Sequence, residues 1–455
     1  GLFVQDAWTI NSKLTLNLGL RTENEHIPNY ADASYGLPEY AINFSFGDKI
    51  APRAGFAYDI KGDGKWKVYG SWGIFYDITK IELPRGSFGG DKWLEYYYAL
   101  DTPDWPNLDT PNCPPECPGR LLRGPIDFRA PSIDESALDQ NLKPYKSTEA
   151  VAGIDHELSS VLSISARYVH KGLARVVEDT GALDAQQNEI YVIGNPSEGP
   201  LETAYIFADG STVPMPKPKR TYDSVELSLN KRMANNWSGR VAYLWSRLYG
   251  NHTGLSQGDE NGRTSPNVGR SYDYPIMMFD GTGQAAYGLL PTDRTHQFKA
   301  QAIYDFTFGL SAGANWYAAS GIPRTREAAV IPPNNFPVQY LGRASDGRTD
   351  FFSQLDLFVQ QQFKLNDRVR LNLSANVINL FDQKTATNFF QTQLQTGQGV
   401  NFSEEDFYRG RVDIPGIIAS QNIPQDPRFL LDGGPGANQG YQPQRAIRIG
   451  LGVSF

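Results

Sequence analysis

Residues 443–455, PQRAIRIGLGVSF, alternate without a break and stop on an aromatic carboxy-terminus. Arg445, Ile447, Ile449, Leu451, Val453 and Phe455 share one face of an extended chain, because successive side chains of a strand point to opposite sides. Ala446, Arg448, Gly450, Gly452 and Ser454 share the other. One face is apolar apart from Arg445 at its far end; the other is small or polar around one arginine. A soluble sheet can use such a strand once. Here the pattern recurs about a dozen times, with short and long connections in strict turn, which predicts an all-β, transmembrane, antiparallel up-and-down β-barrel.

The short connections come first. LFVQDAWTI turns at Asn11-Ser12 into LTLNLGLRTE, with Leu14, Leu16, Leu18 and Leu20 on one face. KIAPRAGFAYDI turns at KGDGK (Lys61 to Lys65), whose glycines supply positive φ, into WKVYGSWGIFYD. STEAVAGIDHEL turns at Ser159-Ser160, TYDSVELSLNKR at MANN, THQFKAQAIYDF near Thr307, and FFSQLDLFVQQQF at KLNDR. With the terminal strand these make about thirteen, each near the length that crosses a bilayer at a tilt.

Every second connection is long, roughly 20, 70, 45, 45, 30 and 60 residues within a few residues of error at each boundary. These stretches, such as Pro84 to Lys143 and Asp382 to Gln442, are rich in Pro, Gly, Asn and Asp and read as aperiodic. They are unusual in a compact soluble domain; in outer-membrane barrels they are the extracellular loops, and the short turns face the periplasm.

The faces opposite the apolar ones carry Arg21, Arg53, Lys67, Glu149, Asp155, Arg167, Glu226, Arg240, Lys299, Gln301, Asp356, Arg370, Asn372, Asn376 and Arg448. In an ordinary core so many unpaired charges would be prohibitive. Lining a wet or plugged lumen, both signs can pair across strands.

Composition agrees. Of 455 residues, 40% are hydrophobic and no run reads as a membrane helix, as expected where only every second strand residue meets lipid. The 24 Tyr, 24 Phe and 8 Trp suit interfacial girdles. A net charge of -8 argues against nucleic acid as a partner. Cys113 and Cys117, in NCPPECPG, suggest a small disulfide-closed loop of an oxidising compartment; a half metal site is the rival.

FVQDAWTINSKLTLNLGLRTE, APRAGFAYDIKGDGKWKVYGSWGIFYD, LPTDRTHQFKAQAIYDF with GANWYAASGIP, and NVINLFD succeed one another in an order that resembles the barrel of TonB-dependent outer-membrane receptors. The resemblance is nearest to the Oar-like, carboxypeptidase-regulatory-like group. It implies about 22 strands, an N-terminal plug and a TonB box, so residues 1–455 are expected to form the C-terminal part of one barrel domain, with the plug and first strands absent. Phe455 resembles the aromatic signal read by the barrel-assembly machinery. The resemblance further implies the outer membrane of a Gram-negative bacterium, contact with its lipid, and a TonB-type energy-transducing partner acting through the missing upstream region. Its function would be gated import of a scarce extracellular ligand, with no bond made or broken and no cofactor. An Oar-like role in secretion or adhesion, or a passive pore, is the alternative. A secreted multi-sheet β enzyme or carbohydrate-binding protein is the rival from another class.

No catalytic motif appears, which points away from an enzyme. His26, His156, His170, His252 and His296 lack ligand spacing and read as surface or interfacial. GDENGRTSPN, around Asp259 to Asn267, lacks the alternate-carboxylate spacing of a calcium loop, so no metal site is expected. The strongest ligand candidates are the aromatics of one long loop, Trp93, Tyr96, Tyr97, Tyr98 and Trp105, which could stack on sugars, chelates or peptide side chains. Packing against neighbouring loops is the alternative.

Overall fold

The computed structural model describes residues 1–29, 36–79, 94–99, 121–127, 138–183, 189–253, 272, 274–331, 336–387, 390–395, 397–427, 429 and 441–455. Among them, thirteen strands form one antiparallel sheet in which every strand pairs with its sequence neighbours. They are β1 (Leu2–Thr9), β2 (Leu14–Thr22), β3 (Ala51–Asp59), β4 (Trp66–Tyr76), β5 (Lys146–Ser159), β6 (Leu162–Arg175) and β7 (Arg220–Ala234). β8 (Trp237–Gly250), β9 (His296–Asp305), β10 (Leu310–Ala319), β11 (Phe352–Lys364), β12 (Arg370–Ile378) and β13 (Ala446–Ser454) complete it, and the two-residue strand Gly288–Leu289 adds to the end of β8. The sheet is open, with β1 and β13 each paired on one side only.

The turns have the chemistry expected of them. Asn235 and Asn236 both hold positive φ (53° and 67°) between the paired residues Ala234 and Trp237, a two-residue hairpin whose twist suits the strands. At the β3–β4 turn the Asp59 carboxylate accepts from the amides of Gly62 and Gly64, both at positive φ.

Alternation sorts the side chains into two faces. Leu18, Leu20, Trp72, Leu227, Leu229, Val241 and Ile449 all lie on one face and are all exposed. Contiguous apolar surface on this scale is untenable in water and is what a lipid-facing wall requires.

The main hydrophobic core lies elsewhere, in the long connections at one end of the sheet. Leu201 and Met215 follow β6, Tyr272, Tyr274, Ile276, Met277, Met278 and Phe279 follow β8, Ala328, Val330, Val338 and Tyr340 follow β10, and Leu394, Val400, Phe407, Tyr408, Ile414 and Ile418 follow β12. All pack into one buried cluster. This corrects the aperiodic reading of those stretches. They carry hairpins, including Glu25–Pro28 with Tyr40–Phe44 and Ala328–Val330 with Phe336–Val338, and two short helices, Glu404–Tyr408 and Ile414–Ser420. The helix starts are capped locally: Ser403 accepts from the Asp406 amide, and Asp413 accepts from Gly416 ahead of Pro415.

Candidate functional site

Two surfaces could carry function, the polar face of the sheet and the packed layer of long connections above it. On the polar face, directly opposed residues pair: Lys67 with Asp155 and Lys171 with Glu149, each at 2.7 Å. Glu226 takes two arginines, Arg167 from the facing position on β6 at 3.2 Å and Arg240 diagonally from β8 at 3.0 Å. Opposite signs therefore neutralise one another across strands, as the sequence reading expected. Further along, Arg240, Gln301, Asn315, Asp356, Asn376 and Arg448 border a concavity of about 850 Å³.

The layer above is cross-braced by buried polar groups. Asp293, almost fully buried, accepts from Arg348 (2.6 Å), the Leu248 amide (2.7 Å) and Thr295 (3.0 Å), tying the end of β8 to the connection after β10. Asn195 takes the Lys143 amide and donates to the carbonyls of Lys143 and Val176, joining the segments that flank β5 and β6. Lys143 also pairs with Glu198 at 2.8 Å, and that contact holds the Glu198 carboxyl below its ordinary range.

Aromatic rings fill the centre. Tyr205 stacks on Tyr408 and Tyr274 on Phe336, each at 4.7 Å, and Phe279 meets Tyr408 edge-on at 5.1 Å. Burial pushes the Tyr272 and Tyr408 hydroxyls well above their ordinary pKa, because a phenolate there would lose its water. Glu404, in the first turn of its helix, is pushed up by the same loss of solvent.

Of the sequence candidates, Tyr96, Tyr97 and Tyr98 lie on the strand Leu94–Tyr98, which pairs with Leu121–Asp127. Tyr96 and Tyr98 stack at 6.5 Å on one side; Tyr97 is exposed on the other, with the Arg123 guanidinium 6.0 Å from its ring. Trp93, Trp105, Cys113 and Cys117 lie outside the described residues, as does the loop from Asp259 to Asn267. Phe455 is 99% exposed at the end of β13.

His252 corrects the surface reading of the histidines. It is buried, with Nε2 2.7 Å from Glu178 Oε1. The other four fit the expectation more closely: His170 meets Asp223, His296 meets Tyr243, His156 stacks on Trp66 and His26 bonds Asn43. Among the described residues no three or more His, Cys, Asp or Glu converge as a metal site would require. The layer core was the feature the sequence reading missed. Its signals were the dense apolar run Tyr272 to Phe279 and the capped turns at Ser403 and Asp413.

A sheet with an apolar exposed face, a charge-paired opposite face and long connections confined to one end is the wall of an outer-membrane β-barrel. Over residues 1–325 the chain matches the family described as outer membrane beta barrel domain, and it belongs to that family. Its place is therefore the outer membrane of a Gram-negative bacterium, with the long connections outside. The whole chain is 26% identical to the TonB-dependent transporter Oar of Myxococcus xanthus, spanning 42% of that protein's length. Among solved structures it is similar to the outer membrane transporter YddB of Escherichia coli (14% identity, 88% of this chain and 42% of that one, TM-score 0.47). It is also similar to the pyoverdine receptor FpvA of Pseudomonas aeruginosa (13%, 85% and 38%, TM-score 0.46). These relatives are transporters and receptors by name.

Proposed function

We propose that this chain is the C-terminal barrel portion of a receptor that captures a scarce extracellular ligand with its long loops and imports it with energy from a TonB-type partner. The observation that carries this reading is the layer itself: four connections share one core, so the outer surface is a stiff scaffold able to hold a binding site. Below it stands a polar wall on which several charges pair across strands, suited to a wet or plugged passage. Likeness over the whole chain to a protein named as a TonB-dependent transporter supports the energy source. No bond is made or broken in such a cycle.

Trp93, Tyr96, Tyr97, Tyr98 and Trp105 are the proposed ligand contacts, with Cys113 and Cys117 bonded to close their loop. The open edges of β1 and β13 support a larger barrel, since unpaired edges in lipid are costly. Phe455 is proposed as the mark read during barrel assembly. The test is uptake from a defined pool of extracellular solutes by cells carrying or lacking the intact gene, with and without a proton-motive-force uncoupler. Gene-dependent, uncoupler-sensitive depletion of one solute is expected. Depletion that persists with the uncoupler would instead establish a passive pore.

A further inference from the structure

The apolar face of β6 to β8 ends, toward the long connections, in a tier of charge. Arg247 projects on that face, its guanidinium 4.3 Å from the centroid of the Tyr249 ring; Lys219 Nζ is 5.4 Å from the same ring. Both cations are exposed, as is Lys217 two residues earlier, where its carbonyl accepts from the Tyr287 hydroxyl. Asp223, which faces Arg247 in register, is hydrogen-bonded by Tyr168 (2.6 Å) and His170 (2.8 Å) and acts on Arg247 only through space, as Glu198 does on Lys217. None of the three cations has a carboxylate within ion-pair distance among the described residues. Immediately below lie Tyr168, Val225, Leu227, Val241 and Tyr243, all exposed on the same apolar face.

Such a ledge sits where hydrocarbon gives way to headgroups, since aromatic rings mark that boundary and long cationic side chains reach past it. A set of exposed cations without a close ion pair at that depth is complementary to anionic headgroups. We propose that Lys217, together with Lys219 and Arg247 braced by Tyr249, forms a docking ledge for the phosphorylated headgroup of an outer-leaflet lipid. The ring fixes both long side chains at one spot, so less rotamer freedom is lost on binding. The ligand is a lipid and not a free anion because the apolar wall below the ledge would hold its acyl chains. This inference rests on the membrane location alone and is independent of what the receptor imports.

The test compares the intact protein with Lys219→Gln/Arg247→Gln, both in detergent, by native mass spectrometry after exposure to bis-phosphorylated lipid A or its dephosphorylated form. Retention of the phosphorylated lipid should fall about tenfold or more in the variant, given the usual contribution of two surface cations. The dephosphorylated form should bind both proteins alike. Arg247→Lys should retain most of the binding, and unchanged heat-modifiable gel mobility should show that each variant is folded. Equal retention by wild type and variant would overturn the proposal. So would no preference for the phosphorylated lipid, or displacement of the lipid by equimolar inorganic phosphate.

Discussion

His252 and Glu178 stand 74 residues apart in sequence and meet at 2.7 Å, buried at both ends, where the connections after β6 and β8 leave the sheet. A buried polar group deprived of a partner costs about 1–3 kcal/mol. His252→Leu should therefore loosen both connections, seen as faster amide exchange at 176–183 and 249–253. His252→Gln, which can still donate to Glu178, should do so much less. Equal exchange in the two variants would show that ring volume, not the hydrogen bond, is what matters there.

Phe407 is fully buried at the centre of the layer, between Phe402 and Tyr408. Phe407→Ala should cost the layer about 3–5 kcal/mol, the range for a large buried aromatic. Limited proteolysis should then cut within 397–423 while the strands still resist. Loss of the heat-modifiable barrel itself would mean that layer and wall fold as one unit.

Glu226 between Arg167 and Arg240 predicts an asymmetric mutant series. The two arginines are half exposed, so each pair is worth only about 0.2–1 kcal/mol. Arg167→Gln leaves Glu226 with Arg240 and should barely move the unfolding temperature. Glu226→Gln leaves two guanidinium groups near a neutral amide and should lower it further. A larger effect from Arg167→Gln would disprove the shared-carboxylate arrangement.

The buried tyrosines set an alkaline limit on the layer. Burial raises the folded pKa of Tyr272 and Tyr408 above the unfolded value near 10, so the neutral ring is favoured in the fold. That stabilisation is fully present below pH about 10 and is lost as pH rises toward the folded values. The layer should open in strong alkali with a cooperative rise in tyrosinate absorbance. Tyr408→Phe should move that transition to higher pH; an unmoved transition would place its cause elsewhere.

The strands were legible because their rule is local. In LTLNLGLRT the leucines fall on one face by alternation alone, and turn residues such as Asn235-Asn236 fix the register between the two strands they join. That Lys67 and Asp155 share the polar face was legible too, but the register that sets them opposite each other spans a long connection and came only from the fold. The proposed aromatic contacts were legible only as composition, since density of Trp and Tyr says nothing about where a loop folds.

Sequence alone thus determined the class of fold, the thirteen strands, their order and the two faces of the wall. A period of two needs no partner to be read, and each short turn returns the chain to the strand just made. Only the tertiary structure decided that the long connections share a core, that His252 is buried on Glu178, and that Lys219 and Arg247 converge on one ring. Those contacts join segments far apart in the chain, through burial that no local periodicity encodes.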